Sequence, residues 1–324
     1  MPALLYTTQV VNLKSQSRFL TMSAKHHYVP QLHLKGFLDP SSIGSKDPYL
    51  WVVDLERKSI ERRAPKNTAY LTGYYDVNIV GDETVTNKSM FEDVLKAIEG
   101  RASPVIRRIR MNDFNLTIED RFNLSNLIGV QVGRVPIYRD YIASEISKFY
   151  EQRLLDLVSD EEKLRQKFGD DIEGFKAYAL SLKGKIAPKK DFLVSATLKI
   201  GTDFAELIFG MTWVFLVTTG STRFFTSDNP AMLLSDNKLL KVETGSKNEE
   251  LEIAFPISPS CTFLAHNHNR REEIIEVESR VVDKLNWRSF RTINRYIFCS
   301  TRMQAENLLE TYNVAKSKGF PDEP

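Results

Sequence analysis

The chain has little cysteine, no long apolar run and almost no net charge, and each lack removes a class of protein. Cys261 and Cys299 are the only two cysteines, and no C-x-x-C pair occurs. That excludes a disulfide scaffold and a cysteine-rich zinc site, and it fits a reducing compartment, so a cytoplasmic location is expected. No apolar stretch reaches the roughly 18 residues a membrane span needs, and none is expected. Lys and Arg number 44 against 42 Asp and Glu, a formal charge of +2. Bulk electrostatics therefore demand no nucleic-acid partner, although a local basic groove on a neutral protein stays open. There is no H-E-x-x-H, no P-loop, no G-x-S-x-G elbow and no internal repeat.

What is present is globular in composition: 324 residues, 42% apolar and 27% charged. Residues 1–23 carry no helix or strand pattern and are expected to be an optional or disordered extension, with Met22 opening a start-like Met-Ser-Ala-Lys-His-His. Residues 24–316 read as one α+β domain and 317–324 as a tail. After Pro30, Gln31 to Phe37 predict a short helix, and Tyr49–Asp54 a strand rich in aromatic and β-branched residues. Ser59 to Arg63 returns as a second strand, and Tyr74 to Val80 suggests a third. From about 87 to 219 the spacing is helical, with Phe91, Val94, Leu95 and Ile98 on one stripe and Pro104 interrupting it. Thr117-Ile118-Glu119-Asp120 is a helix start, because Thr caps and the acids suit the positive end. Leu207 to Val217 reads as a buried core element, and 145 to 183 as a solvated amphipathic stretch. Short strands follow at Arg223–Thr226, Ala231–Leu234, Leu251–Phe255, Thr262–His266 and Tyr296–Ser300, with a loop over 237–250 and a helical stretch over 278–295. Strands, then helices, then strands predict an α+β fold, with a mixed or antiparallel sheet from the two strand zones covered by the helical insertion.

Three polar groups stand out. His26 and His27 alternate on an extended segment and point to opposite sides, so one can face a cleft; a structural histidine bonded to main chain is the competing account. His266 and His268 share a strand face, which suits a metal or simply a polar turn. Glu92 and Glu99 are seven apart on a helix, so they lie on one face about 10.5 Å apart along the axis. Gln131 and Arg134 end the next, strongly apolar helix. A buried Arg needs an acid, so Glu–Arg pairing competes with catalysis there. Thr226-Ser227-Asp228-Asn229-Pro230 follows a strand; it forms a tight turn and offers Asp228 as ligand or base and Asn229 as donor.

Lys25-His26-His27-Tyr28-Val29-Pro30-Gln31 with Leu34 and Phe37 resembles the opening of domain-of-unknown-function family 4238. Glu92 with Glu99, Gln131 with Arg134, the Thr226–Pro230 turn and Phe255-Pro256-Ile257-Ser258-Pro259 are similar to its later marks. The resemblance spans about residues 25 to 300 and places His27, not His26, at the motif histidine. It implies no established activity; members are suspected of nuclease or defence-related roles. The functional expectation is a metal-dependent phosphodiester hydrolase. In it, His27 is the base, Glu92, Glu99 and Asp228 hold a divalent ion (Mg or Mn), and Gln31, Gln131, Arg134 and Asn229 bind substrate, a nucleic acid being the implied partner. The alternative is a non-enzymatic binding or interaction protein whose polar cluster is structural.

Overall fold

The computed structural model describes residues 24–76, 90–169, 172–234, 251–267 and 272–320. Its strands are β1 (Lys25–His27), β2 (Leu50–Asp54), β3 (Ser59–Arg63), β4 (Tyr70–Thr72), β5 (Thr212–Thr218), β6 (Thr226–Ser227), β7 (Met232–Leu234), β8 (Glu252–Ser258), β9 (Cys261–His266), β10 (Glu273–Val277) and β11 (Tyr296–Cys299). Its helices are α1 (Gln31–Leu34), α2 (Met90–Arg110), α3 (Ile118–Arg134), α4 (Pro136–Ser159), α5 (Glu161–Phe168), α6 (Ile172–Ser181), α7 (Lys190–Gly210), α8 (Ser279–Ser289) and α9 (Arg302–Ser317). The fold is α+β. The two strand zones do meet, since β11 pairs with β2 in a four-stranded sheet of order β3-β2-β11-β6. They do not make one sheet. A second, five-stranded sheet of order β10-β5-β9-β8-β7 is built without the N-terminal zone, and β1 pairs only with β4 among the described residues.

Several local expectations need correction. Leu207 to Val217 is not one element. The helix ends at Gly210, and the β-branched and aromatic run Thr212-Trp213-Val214-Phe215 continues as β5. The helical zone therefore stops before 212. Pro104 does not interrupt α2, which runs through it. Pro104 and Gly100, four positions earlier, are both exposed, so solvent can take the carbonyl that loses its donor. The third strand is β4 at 70–72, and the rest of the 74–80 proposal falls partly outside the described residues. Phe224 and Phe225 are buried, but only Thr226 and Ser227 pair as strand. The loop over 237–250, the extension at 1–23 and His268 also lie outside the described residues. Among the described residues no helix is long and apolar enough to cross a membrane.

The start of α3 is as the sequence indicates. Thr117 Oγ1 accepts from the Asp120 N–H at 3.1 Å, and Asp120 accepts from the Thr117 N–H at 2.9 Å. Small residues then let α3 lie directly on α7. A Cβ on Gly129 would strike the backbone of Gly201 and Ala205, and one on Gly133 would come within 2.7 Å of the Thr197 carbonyl oxygen. This close crossing buries the C-terminal half of α3, from Leu127 to Arg134. The largest apolar core joins α2, α3 and α7 to one face of the five-stranded sheet through residues such as Ile106, Ile128, Phe204 and Phe263. A half-buried cation, Arg110, fastens the first zone to it. Its Nε donates to the Ile257 carbonyl, and Nη2 to those of Leu32 and His33, each at 3.1 Å. Burial pushes its pKa down to about 10.

Candidate functional site

The segment from His27 to Pro30 runs through the interior against α3. Tyr28 and Val29 are buried, and main-chain polar groups placed there need partners. The Tyr28 N–H donates to the Ala69 carbonyl at 2.9 Å. Gln131 Nε2 donates to the Tyr28 carbonyl at 2.9 Å, and Arg134 Nη2 donates to the carbonyl of His27. Pro30, which lacks an N–H, then opens α1 with φ −58°. Gln131 and Arg134 are thus the residues that satisfy the carbonyls of the His-Tyr pair. Gln31 sits half-buried on α1.

Arg134 carries its charge into the interior at 3% exposure, and Glu99 answers it, accepting from Nη1 at 2.8 Å. Burial works against the Arg134 cation, yet the nearby Tyr75 hydroxyl and Glu99 outweigh it and raise its pKa. The Tyr75 phenol is itself pushed up, first by burial.

The two histidines divide as their alternation predicts. His26 is the buried one. Its ring lies on Tyr75, centroids 5.4 Å apart and 22° between planes, and its Nδ1 accepts the Tyr75 N–H at 2.8 Å. With Nδ1 an acceptor, the ring proton sits on Nε2. That nitrogen faces Asp76 at 3.7 Å and Glu92 at 3.9 Å, within ion-pair range but beyond hydrogen-bond length. His27 turns the other way, towards Tyr70, with ring centroids 5.8 Å apart. Burial lowers its pKa, while the Lys66 backbone pulls the other way. Its Nε2 is buried without a hydrogen-bond partner. Sequence reasoning preferred His27 and missed the His26–Tyr75–Asp76 contact; the alternation marked two faces but not which one the interior would take.

The turn after β6 is a separate construction. Asp228 is buried and accepts three main-chain N–H groups: Asn294 at 3.1 Å, Arg295 at 2.7 Å and Tyr296 at 3.0 Å. Burial raises its pKa to about 6 against those three donors. Asn229 Nδ2 donates to the Thr292 carbonyl at 2.9 Å, and the Thr226 hydroxyl meets His33 Nε2 at 2.7 Å. His33 therefore joins the opening motif to this turn. His266 is buried at the end of β9.

The proposed site residues do not share one set of partners. Glu92, Glu99 and Arg134 lie in electrostatic range of His27, whereas Asp228 acts on Tyr28 and Tyr312. Glu99 is bound to Arg134, Asp228 to main chain, and Glu92 to Lys96 at 3.3 Å beside His26. These three carboxylates do not fit a common divalent ion, and among the described residues no group of three or more His, Cys, Asp or Glu is arranged to hold one. Around Arg134 a second pattern emerges. Among the described residues His27 Nε2, Gln131 Oε1 and Arg134 Nε are buried without a close hydrogen-bond partner, while the Tyr74 and Tyr75 hydroxyls have Arg139 and Arg134 beside them. Such atoms are costly unless water or another polar group completes them.

No curated protein and no solved structure matches the chain. The family model described as protein of unknown function (DUF4238) matches residues 25–303. On that match over most of its length, the chain belongs to this family.

Proposed function

We propose that the protein is a non-enzymatic binding or interaction protein, and that the polar residues of its motifs form a network fastening the N-terminal segment to the helical layer. One observation carries this reading: Arg134 spends one nitrogen on Glu99 and another on the His27 carbonyl, while Gln131 beside it takes the Tyr28 carbonyl. Asp228 and Asn229 are spent in the same way, on the main chain of residues 292–296. Residues committed to main chain and to each other are scaffold rather than chemistry. Hydrogen exchange tests this. Arg134→Met and Gln131→Leu should each strip protection from the amides of residues 25–34. Protection unchanged in both would remove the network from the account.

A second reading, a nuclease-like phosphodiester hydrolase, has in its favour the polar atoms left open on His27, Gln131 and Arg134. His27, kept unprotonated by burial, would be its base once its Nε2 is uncovered, and Arg134 Nε would contact phosphate. No step is assigned to a metal. Cleavage of RNA or DNA by the purified chain, lost in His27→Gln at unchanged stability, would support this reading over the first. An equal rate in His27→Gln would end it.

A further inference from the structure

The five-stranded sheet ends on β10, whose one strand partner among the described residues is the parallel β5. An edge strand presents a row of open main-chain donors and acceptors, and proteins usually guard it. Here the guard is incomplete. In the register Ile274 stands beside Phe215, so it lies on the face that Trp213 and Phe215 turn to the core. The core face therefore continues to the sheet edge, where Ile274 is 56% exposed. Next to it is a cavity of about 400 Å³, walled by Phe114, Leu116, Trp213 and Phe215 and closed at one side by Arg121. Two more apolar side chains stand uncovered on the neighbouring helix, Ile118 at 79% and Phe122 at 52% exposure. Arg121 ties the walls together. Arg121 lies over the Trp213 ring at 4.2 Å, donates through Nε to the Phe209 carbonyl at 3.0 Å, and pairs with Glu272.

We propose that this edge binds an extended segment of a partner protein, in which one bulky apolar side chain is flanked by basic residues. The segment adds to β10 as a further strand, and its apolar side chain enters the cavity beside Ile274. The backbone edge supplies affinity, and the cavity supplies the selective contact. Charge complementarity sets the flanks. Glu273 and Glu276 are exposed along β10, and Glu119 is exposed in the first turn of α3, while the Arg121 charge is already met by Glu272. Arg270 and Arg271 precede the strand and lie outside the described residues. The proposal rests on the interaction-protein reading for its class of function but on none of its residues, so either can fail while the other stands.

The probe is a set of fluorescein-labelled peptides about ten residues long, roughly the length of a long strand. Lys alternates with Val in them around a central Leu, Phe or Trp, and a matched set carries Glu in place of Lys. Anisotropy titrations against the full chain should show saturable binding of at least one Lys peptide. The Glu counterpart should bind at least about tenfold more weakly, and Ile274→Arg should weaken the Lys peptide by about tenfold or more, as loss of a central anchor does. Val314→Arg, at an exposed apolar position on α9, should leave binding unchanged, and Ile274→Arg should melt like the wild type because its side chain is largely exposed. Equal binding of both sets, full affinity in Ile274→Arg, or no binding of any Lys peptide would overturn the proposal. So would a dimer in sedimentation that Ile274→Arg dissolves, since the occupant would then be a second copy of the chain.

Discussion

Arg134 and Glu99 are 2.8 Å apart, and the same guanidinium reaches the carbonyl of His27. One buried cation on α3 therefore holds both α2 and the first strand. A planar fork with several donors suits that task, and a lysine, a single point charge, does not. The pair is lopsided. Arg134 is at 3% exposure and Glu99 at 24%, so removing the acid strands the deeper charge. Whether the polar motif residues are scaffold or chemistry turns on such asymmetries.

Asp228 predicts a pH signature. Its carboxyl has an ordinary value of 3.8 and is raised to about 6 in the fold. Between those values the folded chain holds the proton more tightly than the unfolded chain. This group's contribution to stability is therefore greatest below about pH 4 and declines as pH rises to about 6. Asp228→Asn should remove that decline, which is read as the difference between the Tm-against-pH curves of the two proteins. Asp228→Ala should be strongly destabilising, because three main-chain N–H groups lose their acceptor, at about 1–3 kcal/mol for each one left unsatisfied. Parallel curves, with a stable alanine variant, would show that the turn does not depend on this carboxylate.

The α3–α7 crossing predicts a steep cost for one methyl group. Gly129→Ala places Cβ against the backbone of Gly201 and Ala205, which no side-chain rotation relieves. Overpacking of this kind costs about 1–3 kcal/mol and occasionally more. Gly100→Ala, on α2 with nothing within 4 Å, should instead be neutral or stabilising by about 0.5–1 kcal/mol. Urea denaturation of the two variants should place them on opposite sides of the wild type.

The adjacent histidines should separate by stability. His26→Ala removes a buried ring stacked on Tyr75 and leaves the Tyr75 N–H without its acceptor, at a cost of about 2–4 kcal/mol. His27→Ala removes a half-buried ring whose Nε2 has no partner, and should cost under about 1 kcal/mol. Chemical denaturation giving the reverse order would contradict the tautomer and burial assigned to His26.

Much of the architecture is legible in the sequence because short-range rules govern it. The Thr117–Asp120 capping box and the β2 run are set by neighbours along the chain. Errors arise where a distant partner decides. Trp213 to Phe215 belongs to an apolar run that helix and strand can both use, and pairing with β9 selects the strand. Glu92, Glu99 and Arg134 are visible as a polar set on apolar helices, and the option of Glu–Arg pairing follows from the cost of burying a lone cation. That Asp228 would meet residues 294–296, and His33 meet Thr226, has no local trace, since both contacts join segments far apart in the chain. Alternation showed that His26 and His27 face opposite sides, but the buried side is fixed only when Tyr75 packs on it.

The most direct measurement is a double-mutant cycle on Glu99 and Arg134. Unfolding free energies would be taken for the wild type, Glu99→Ala, Arg134→Met and the double variant. A fastening pair predicts that Glu99→Ala loses on the order of 3 kcal/mol, because a buried guanidinium is left without its acid. It also predicts that the double variant is at least as stable as Glu99→Ala, with a coupling of about 0.5–3 kcal/mol between the two sites. If Glu99→Ala is as stable as the wild type or more so, and the two substitutions are additive, Glu99 is not part of a structural pair and the scaffold account fails.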